Sequence, residues 1–406
     1  MSKLDELIRE LCPDGVEYKT LGEICKLVTG ATPSKTNAAY WENGTIPWMS
    51  SGEVNLKRVT ATEKKITQLG YEKNSTTIVP KHSVVIALAG QGKTRGKVAI
   101  TEIELCTNQS LCSMICNENL DYTFLYYILD GKYEELRAIS NGDGTRGGLS
   151  LKILAPYKIP VPPLPVQREI VRILDNFTEL TAELTAELTA RKKQYEFYRD
   201  KLLTAPQGSQ EKKFDDLFEF QNGFAFKSSL FKKSGCPILR ITNIQERRID
   251  TEKMAYFSPD DYKENLQAFT VLPGDIVVAM SGATTGKIGV NHTDKVYYLN
   301  QRVGKFSPKT GIDKRYLYHL LLQNSNKLLE ISVGSGAQPN LSSEKMKKLT
   351  ARVPGLSEQK RIATILDKLD TLCNDIIEGL SAEIEARQKQ YEYYRGKLLT
   401  FKELEV

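Results

Sequence analysis

A long internal repeat dictates what this chain can fold into. Val161–Leu180 (VPPLPVQREIVRILDNFTEL) aligns without a gap on Val353–Leu372 (VPGLSEQKRIATILDKLDTL), 192 residues later. Farther on, Ala190–Thr204 (ARKKQYEFYRDKLLT) matches Ala386–Thr400 (ARQKQYEYYRGKLLT) at an offset of 196, so the second copy carries four extra residues in between. The segments upstream match more weakly but in the same order. Asn108-Gln109 corresponds to Asn300-Gln301, and Gly142–Ser150 (GDGTRGGLS) to Gly334–Ser342 (GSGAQPNLS), again 192 apart. Ala89–Ile100 (AGQGKTRGKVAI) aligns on Ala279–Val290 (AMSGATTGKIGV) at an offset of 190. The chain is therefore a tandem duplication in which a variable globular domain precedes a nearly constant helical segment. Two related domains that differ most in their loops suggest one scaffold with two specificities.

The nearly constant segments carry a helical period. Ile170, Leu174, Phe177, Leu184, Leu188, Tyr195, Tyr198 and Leu202 form one apolar stripe. Leu366, Leu369, Cys373, Ile376, Leu380, Ile384, Tyr391, Tyr394 and Leu398 form the other. Steps of three and four belong to an amphipathic helix, not to a strand. Prolines 160, 162, 163 and 165 stop any helix before the first copy, and Pro206 follows it. At 1.5 Å per residue the helices would be about 55 and 60 Å long. A narrow stripe on so long a helix needs a partner, and an antiparallel pair in which each stripe covers the other is the economical solution. The first helix contains TAELTAEL (Thr181–Leu188), a perfect four-residue repeat. Each such unit adds about 6 Å and overshoots one turn by about 40°. Arg191, Lys192 and Lys193, with Arg387 to Lys389, are expected on the outer faces, toward partners or solvent.

Composition narrows the function class. A net charge of +6 is mildly basic, compatible with a nucleic-acid partner without demanding one. No apolar run reaches the roughly 18 residues of a membrane helix, and the charged start MSKLDELIRE is unlike a signal peptide, so a cytoplasmic protein without membrane contact is expected. Seven cysteines are scattered. The tightest group, Cys106, Cys112 and Cys116, lacks metal-type spacing and nearby histidines, which predicts reduced thiols and no metal site.

Variable domain, helix, variable domain, helix: this arrangement resembles the specificity subunits of type I restriction–modification systems. The TAEL repeat followed by RKKQYEFYRDKLLT is similar to the subgroup called type IC. The likeness spans essentially the whole chain, although the variable domains share only short pieces such as IPWMSSGEV (Ile46–Val54) and TGKIGV (Thr285–Val290). The resemblance implies a non-catalytic chain whose two target-recognition domains each read half of an asymmetric, bipartite site on double-stranded DNA. It implies that the helical pair sets the unread gap and docks two modification subunits, adenine-N6 methyltransferases. S-adenosylmethionine, ATP and Mg²⁺ would sit on the modification and restriction subunits, none on this chain.

The candidate DNA-contacting residues lie on three loops. In the first domain, SVVIALA leads into a glycine-rich loop bearing Lys93, Thr94, Arg95 and Lys97; its counterpart bears Thr284, Thr285 and Lys287. Glycines let a backbone approach closely, and cations suit phosphate or guanine. The second loop offers Arg146 against Gln338 and Asn340. Arginine pairs with guanine, whereas glutamine and asparagine pair with adenine. The third sets Trp48, Ser50 and Ser51 against Arg240, Thr242 and Asn243, with Trp48 equally suited to a core. Asn108-Gln109 and Asn300-Gln301, identical in both halves, are read as scaffold braces.

Two rival readings are a nucleotide-binding protein and a coiled-coil adaptor without base reading. Ala87 to Thr94 fits a relaxed phosphate-loop pattern, but RGKVAITEIEL alternates like a strand, whereas a phosphate loop must open a helix. No methyltransferase motif is present, and histidines 82, 292 and 319 form no acid–base arrangement in the sequence. The expected fold is α+β: two target-recognition domains separated by an antiparallel coiled-coil pair, with pseudo-twofold symmetry. The expected boundaries are a segment 1–16, a first domain 17–160, a central helical region 161–209, a second domain 210–352 and a C-terminal helical region 353–406. Late helices are expected at Asp121–Ile139 and Asp313–Ile331.

Overall fold

The duplication carries through to the order of the strands. The computed structural model describes residues 2–90, 94–140, 148–204, 206, 208–332 and 339–405. It divides into a first unit, residues 1–185 with 382–406, and a second unit, residues 186–381. Each holds a five-stranded sheet. In the first unit its spatial order is Cys25–Thr29, Leu111–Cys116, Val84–Ala87, Val98–Thr101 and Arg58–Val59. In the second it is Phe218–Asn222, Val303–Pro308, Ile276–Ala279, Ile288–Val290 and Arg247–Arg248. Neighbours are antiparallel except the last pair, which is parallel in both units. A smaller sheet pairs Ile46–Met49 in parallel with Cys106–Thr107, as Cys236–Leu239 pairs with Tyr297–Leu299.

The strands VVIA and IVVA show no polar alternation because both of their faces are covered. Val84 and Ile86 pack into a core built with Phe124, Leu125 and Leu129, while Val85 and Ala87 pack into another with Met49 and Val54. In the second unit Ile276 and Val278 go one way and Val277 and Ala279 the other. The late helix is interrupted in both halves. Tyr122–Gly131 is followed by Tyr133–Ile139, and Lys314–Gln323 by Ser325–Ser332. The breaks fall beside Gly131 and at Asn324, both poor helix formers. Asp121 and Asp313 cap the first pieces through their carboxylates.

The predicted long helices are present as Leu164–Leu203 and Leu356–Leu398. A buried glutamine ties each to its unit. The Gln167 amide accepts from the Asp121 N–H at 2.8 Å and donates to the Pro162 carbonyl at 2.7 Å; Gln359 does the same with Asp313 (2.9 Å) and Pro354 (2.9 Å). The helices run antiparallel. Phe177 stacks on Tyr394 in the first unit, and in the second Arg247 lies against both Tyr195 and Asp370. The stripes do not cover each other along their whole length, as the sequence had suggested. Ile170, Leu174, Tyr195 and Leu366 are buried, whereas Tyr198, Ile376 and Tyr394 stay exposed.

The ends of the chain also belong to the first unit. Ser2 and Asp5 form a capping box on the helix Lys3–Leu11. Farther on, the Val16 N–H donates to the Lys402 carbonyl and the Leu404 N–H to Val16. The region 353–406, expected to be one helical region, therefore ends in a strand-like tail paired with the segment before the first domain. Among the described residues no helix is long and apolar enough to cross a membrane.

Candidate nucleic-acid interface

The glycine-rich loops are hairpin turns closed by the same bonds in both units. Gly96 N–H donates to Ala87 and Ala87 N–H to Lys97 at 2.9 and 3.0 Å; Gly286, Ala279 and Lys287 repeat this at 2.9 and 3.1 Å. Gly96 and Gly286 have φ of +83° and +82°, a conformation side chains disfavour. Ala87 thus matches Ala279, so the ungapped alignment of Ala89 on Ala279 is corrected: the first loop is two residues longer than the second. The chain then continues as Val98–Thr101 and Ile288–Val290, both strands. No helix opens there, and the phosphate-loop reading loses the N-terminus it requires.

Several candidate side chains on these loops are occupied in holding them. Lys97 donates to Asn55 at 2.8 Å, and Lys287 to Gln245 at 3.1 Å. Thr94 donates to the Ala89 carbonyl, Thr284 to that of Ile241, and the buried Thr285 to that of Gly282. Arg95 is half-buried. Lys93, Arg146 and Gln338 lie outside the described residues.

The third loop pair is mainly structural. Trp48 is only 3% exposed, stands edge-on to Trp41 and donates from Nε1 to the Ala31 carbonyl at 2.9 Å. It is a core residue, because its ring and its one donor are both spent inside. Ser50 is used locally: its hydroxyl and N–H both donate to Glu53, capping the short turn Ser51–Leu56 that Ser51 opens. Asn243 is buried and binds the Arg240 N–H and the carbonyls of Asp250 and Lys253. Arg240 reaches the Lys253 carbonyl through Nη2. Thr242 is exposed.

Around the loops a common frame appears. Leu88 N–H donates to Ser110 and Leu149 N–H to Leu88, each at 2.8 Å. In the second unit Met280 N–H donates to Arg302 at 2.9 Å and Leu341 N–H to Met280 at 2.7 Å. Asn108 and Asn300 each donate their N–H at 3.1 Å to the parallel neighbouring strand, at Met49 and Leu239. In this way the end of one buried strand gathers the turn after Asn108 or Asn300 and the loop that ends at Gly148 or Asn340. In the second unit these pieces enclose a cleft of about 470 Å³ lined by Met280, Ser281, Gln301, Arg302, Pro339 and Asn340.

Among the described residues the seven cysteines form no disulfide, and four of them are buried. Burial pushes the Cys112 thiol up to about 12. A hydrogen bond with Cys25, together with burial, raises Cys116 as well. Among the described residues no group of histidine, cysteine or acidic side chains is arranged for a metal.

The model of the type I restriction modification DNA specificity domain matches this chain twice, over residues 13–191 and 206–386. The chain belongs to that family. It is 30% identical to the EcoR124I/EcoR124II specificity subunit of Escherichia coli, over 99% of this chain and 98% of that one. It is likewise 30% identical to the EcoprrI specificity subunit of Escherichia coli, over 93% of each. Among solved structures, the S subunit of a type I restriction-modification system from M. genitalium superposes with a TM-score of 0.56, covering 95% of this chain and 96% of that one at 16% identity. A chain from a study of complex assembly in a type I R-M system gives 0.60, over 96% and 98%, at 15% identity. As a type I specificity subunit the chain is the non-catalytic DNA-recognition component. Its candidate interface holds three residues that the loops alone did not flag: Ser281, Gln301 and Arg302. Gln301 recurs, which suggests a brace, yet the backbone bonds of the frame are made by its neighbours Asn300 and Arg302 and its own side chain is exposed.

Proposed function

We propose that the two units read the two halves of a bipartite, asymmetric DNA site, and that the long helices fix the unread gap and dock two modification subunits. The observation that carries this reading is the repeated backbone frame with different side chains on it. Arg146 stands in the sequence where the second copy has Gln338, Ser110 where it has Arg302, and Gly148 where it has Asn340. One frame with two sets of edge-reading groups is what an asymmetric target requires. Lys93, Arg95, Thr242 and Asn340 complete the set offered to DNA; Thr94, Thr284, Thr285, Lys97 and Lys287 would act by shaping the loops. Phosphate contacts would supply affinity, and base edges the choice of sequence.

The helices suit the second role. Forty residues at 1.5 Å make the central helix about 60 Å long. Exposed Phe197-Tyr198 and their repeats Tyr393-Tyr394 give each helix an aromatic patch outside the core, suited to a protein partner. S-adenosylmethionine would be held by the modification subunits, and ATP and Mg²⁺ by restriction subunits. The test is a genome-wide map of N6-methyladenine in cells expressing the chain with its modification subunit, beside a variant carrying one more TAEL unit. A two-part motif whose gap widens while both halves stay the same supports the reading. Methylation at a continuous site, or a gap indifferent to the insertion, refutes it.

A further inference from the structure

The backbone frame around the second unit's cleft recurs in the first unit with different side chains on it. Position by position, Ser281 stands where the first unit has Ala89, Arg302 where it has Ser110, and Asn340 where it has Gly148. Gln301 and Gln109 are the shared pair, but they are held differently. Thr32 donates to the Gln109 side chain and ties it down. Ala225 occupies the matching place in the second unit, two residues after Gly223 as Thr32 is two after Gly30, and has no hydroxyl to give.

Polar capacity is left over in the second cleft. Ser281 is 8% exposed and its hydroxyl, buried in the lining, has no partner among the described residues. Arg302 is exposed, and its backbone carbonyl is already used to hold the Met280 strand end. No acidic side chain belongs to the lining among the described residues. A cation, two carboxamides and an unmatched hydroxyl around one opening suit acceptor atoms arriving from outside, and guanine O6 and N7 are the pair that an arginine grips with two bonds.

We propose that Arg302 is a specificity-determining residue of the second unit, reading a G·C pair at the cleft rim while Gln301 and Asn340 read adjacent base edges. This rests on the bipartite reading above. In the first unit Ser110 leaves that position without a long donor, so the two halves of the site would differ most there.

The test compares Arg302→Ser, the first unit's own choice, with Arg302→Lys, each in complex with the modification subunit, by methylation mapping and by binding to single-base variants of the mapped site. Exposure makes both substitutions compatible with folding. The expected result is a loss of discrimination of roughly 10- to 100-fold at one base pair of one half-site, with the other half-site unchanged. The lysine variant should keep affinity for unrelated DNA and its salt dependence while losing part of that discrimination. Uniform weakening with unaltered preferences would make Arg302 a phosphate contact and overturn the proposal, and so would unchanged discrimination. A wild-type complex without a two-part motif would overturn the bipartite reading first, and this inference with it.

Discussion

His319 Nε2 lies 2.8 Å from the Asp367 carboxylate, at the place where the first unit sets the Tyr127 hydroxyl 2.5 Å from Asp175. Each pair fastens the late helix of its unit to the start of a long helix, with different chemistry on the same geometry. Burial raises the Asp367 pKa, but the hydrogen bond and charge of His319, joined by Arg315, outweigh it and hold the group below its ordinary 3.8. A depressed carboxylate pKa contributes stability that is present above the unfolded value and lost as pH falls through the folded one. Asp367→Asn should therefore destabilise the second unit at neutral pH and flatten its acid unfolding below about pH 4. Because Asp367 is 36% exposed, the cost is screened to about 1 kcal/mol. Denaturant titrations at pH 7 and pH 3 check this, and an unchanged pH profile would count against the pair.

Arg247 is expected to matter more. Its guanidinium pairs with Asp370 at 2.8 Å and lies 4.1 Å over the ring of Tyr195, itself 1% exposed. Loss of both contacts in Arg247→Ala should cost roughly 2–3 kcal/mol, and Arg247→Lys about half of that, since the charge survives and the flat stacking surface does not. Thermal unfolding of the complex would show the order wild type, lysine, alanine.

The parts of this molecule that a period or a repeat encodes were legible in advance. The duplication, the long helices and the strand that resumes after the glycine-rich loop follow from spacing and from the alternation of RGKVAITEIEL. Side-chain roles were legible only where the chemistry is local. Trp48 could not be sorted between core and DNA because its partner, the Ala31 carbonyl, is 17 residues away in sequence. Asn243 is a DNA-contact candidate by its loop, yet its amide closes on Asp250 and Lys253. Arg302 went unnoticed because its cleft is assembled from three separate segments, around Met280, Gln301 and Asn340. No window of sequence contains that assembly.

The burial of Trp48 separates stability from recognition. Trp48→Phe keeps an aromatic ring beside Trp41 but deprives the Ala31 carbonyl of its donor, which should cost about 1–2 kcal/mol. The mapped recognition sequence should stay the same. A changed half-site in the variant would return Trp48 to the DNA surface.

The C-terminal tail is expected to support the first unit. The Lys402 carbonyl accepts from Val16, the Leu404 N–H donates to Val16, and the Tyr18 hydroxyl donates to the Phe401 carbonyl at 3.0 Å. Ending the chain after Thr400 removes all three bonds and should lower the stability of that unit by roughly 2–3 kcal/mol. Hydrogen exchange would localise the loss to residues 12–20, with the second unit's strands protected as before.

Gly223 offers the sharpest test of the frame beneath the second cleft. A Cβ built on it would stand 2.1 Å from the Asn300 carbonyl oxygen, inside any permissible contact. The Phe224 N–H also bonds the Leu299 carbonyl at 2.8 Å, so the two segments cannot separate without losing a ladder bond. Gly223→Ala must therefore push away the turn that presents Gln301 and Arg302. The expected cost is on the order of 2–3 kcal/mol, and methylation mapping should show degraded choice in one half-site alone. Gly30, whose added Cβ would meet the Thr107 carbonyl, should do the same to the other half when changed to alanine. If both substitutions blurred both halves together, the two frames would not be reading independently.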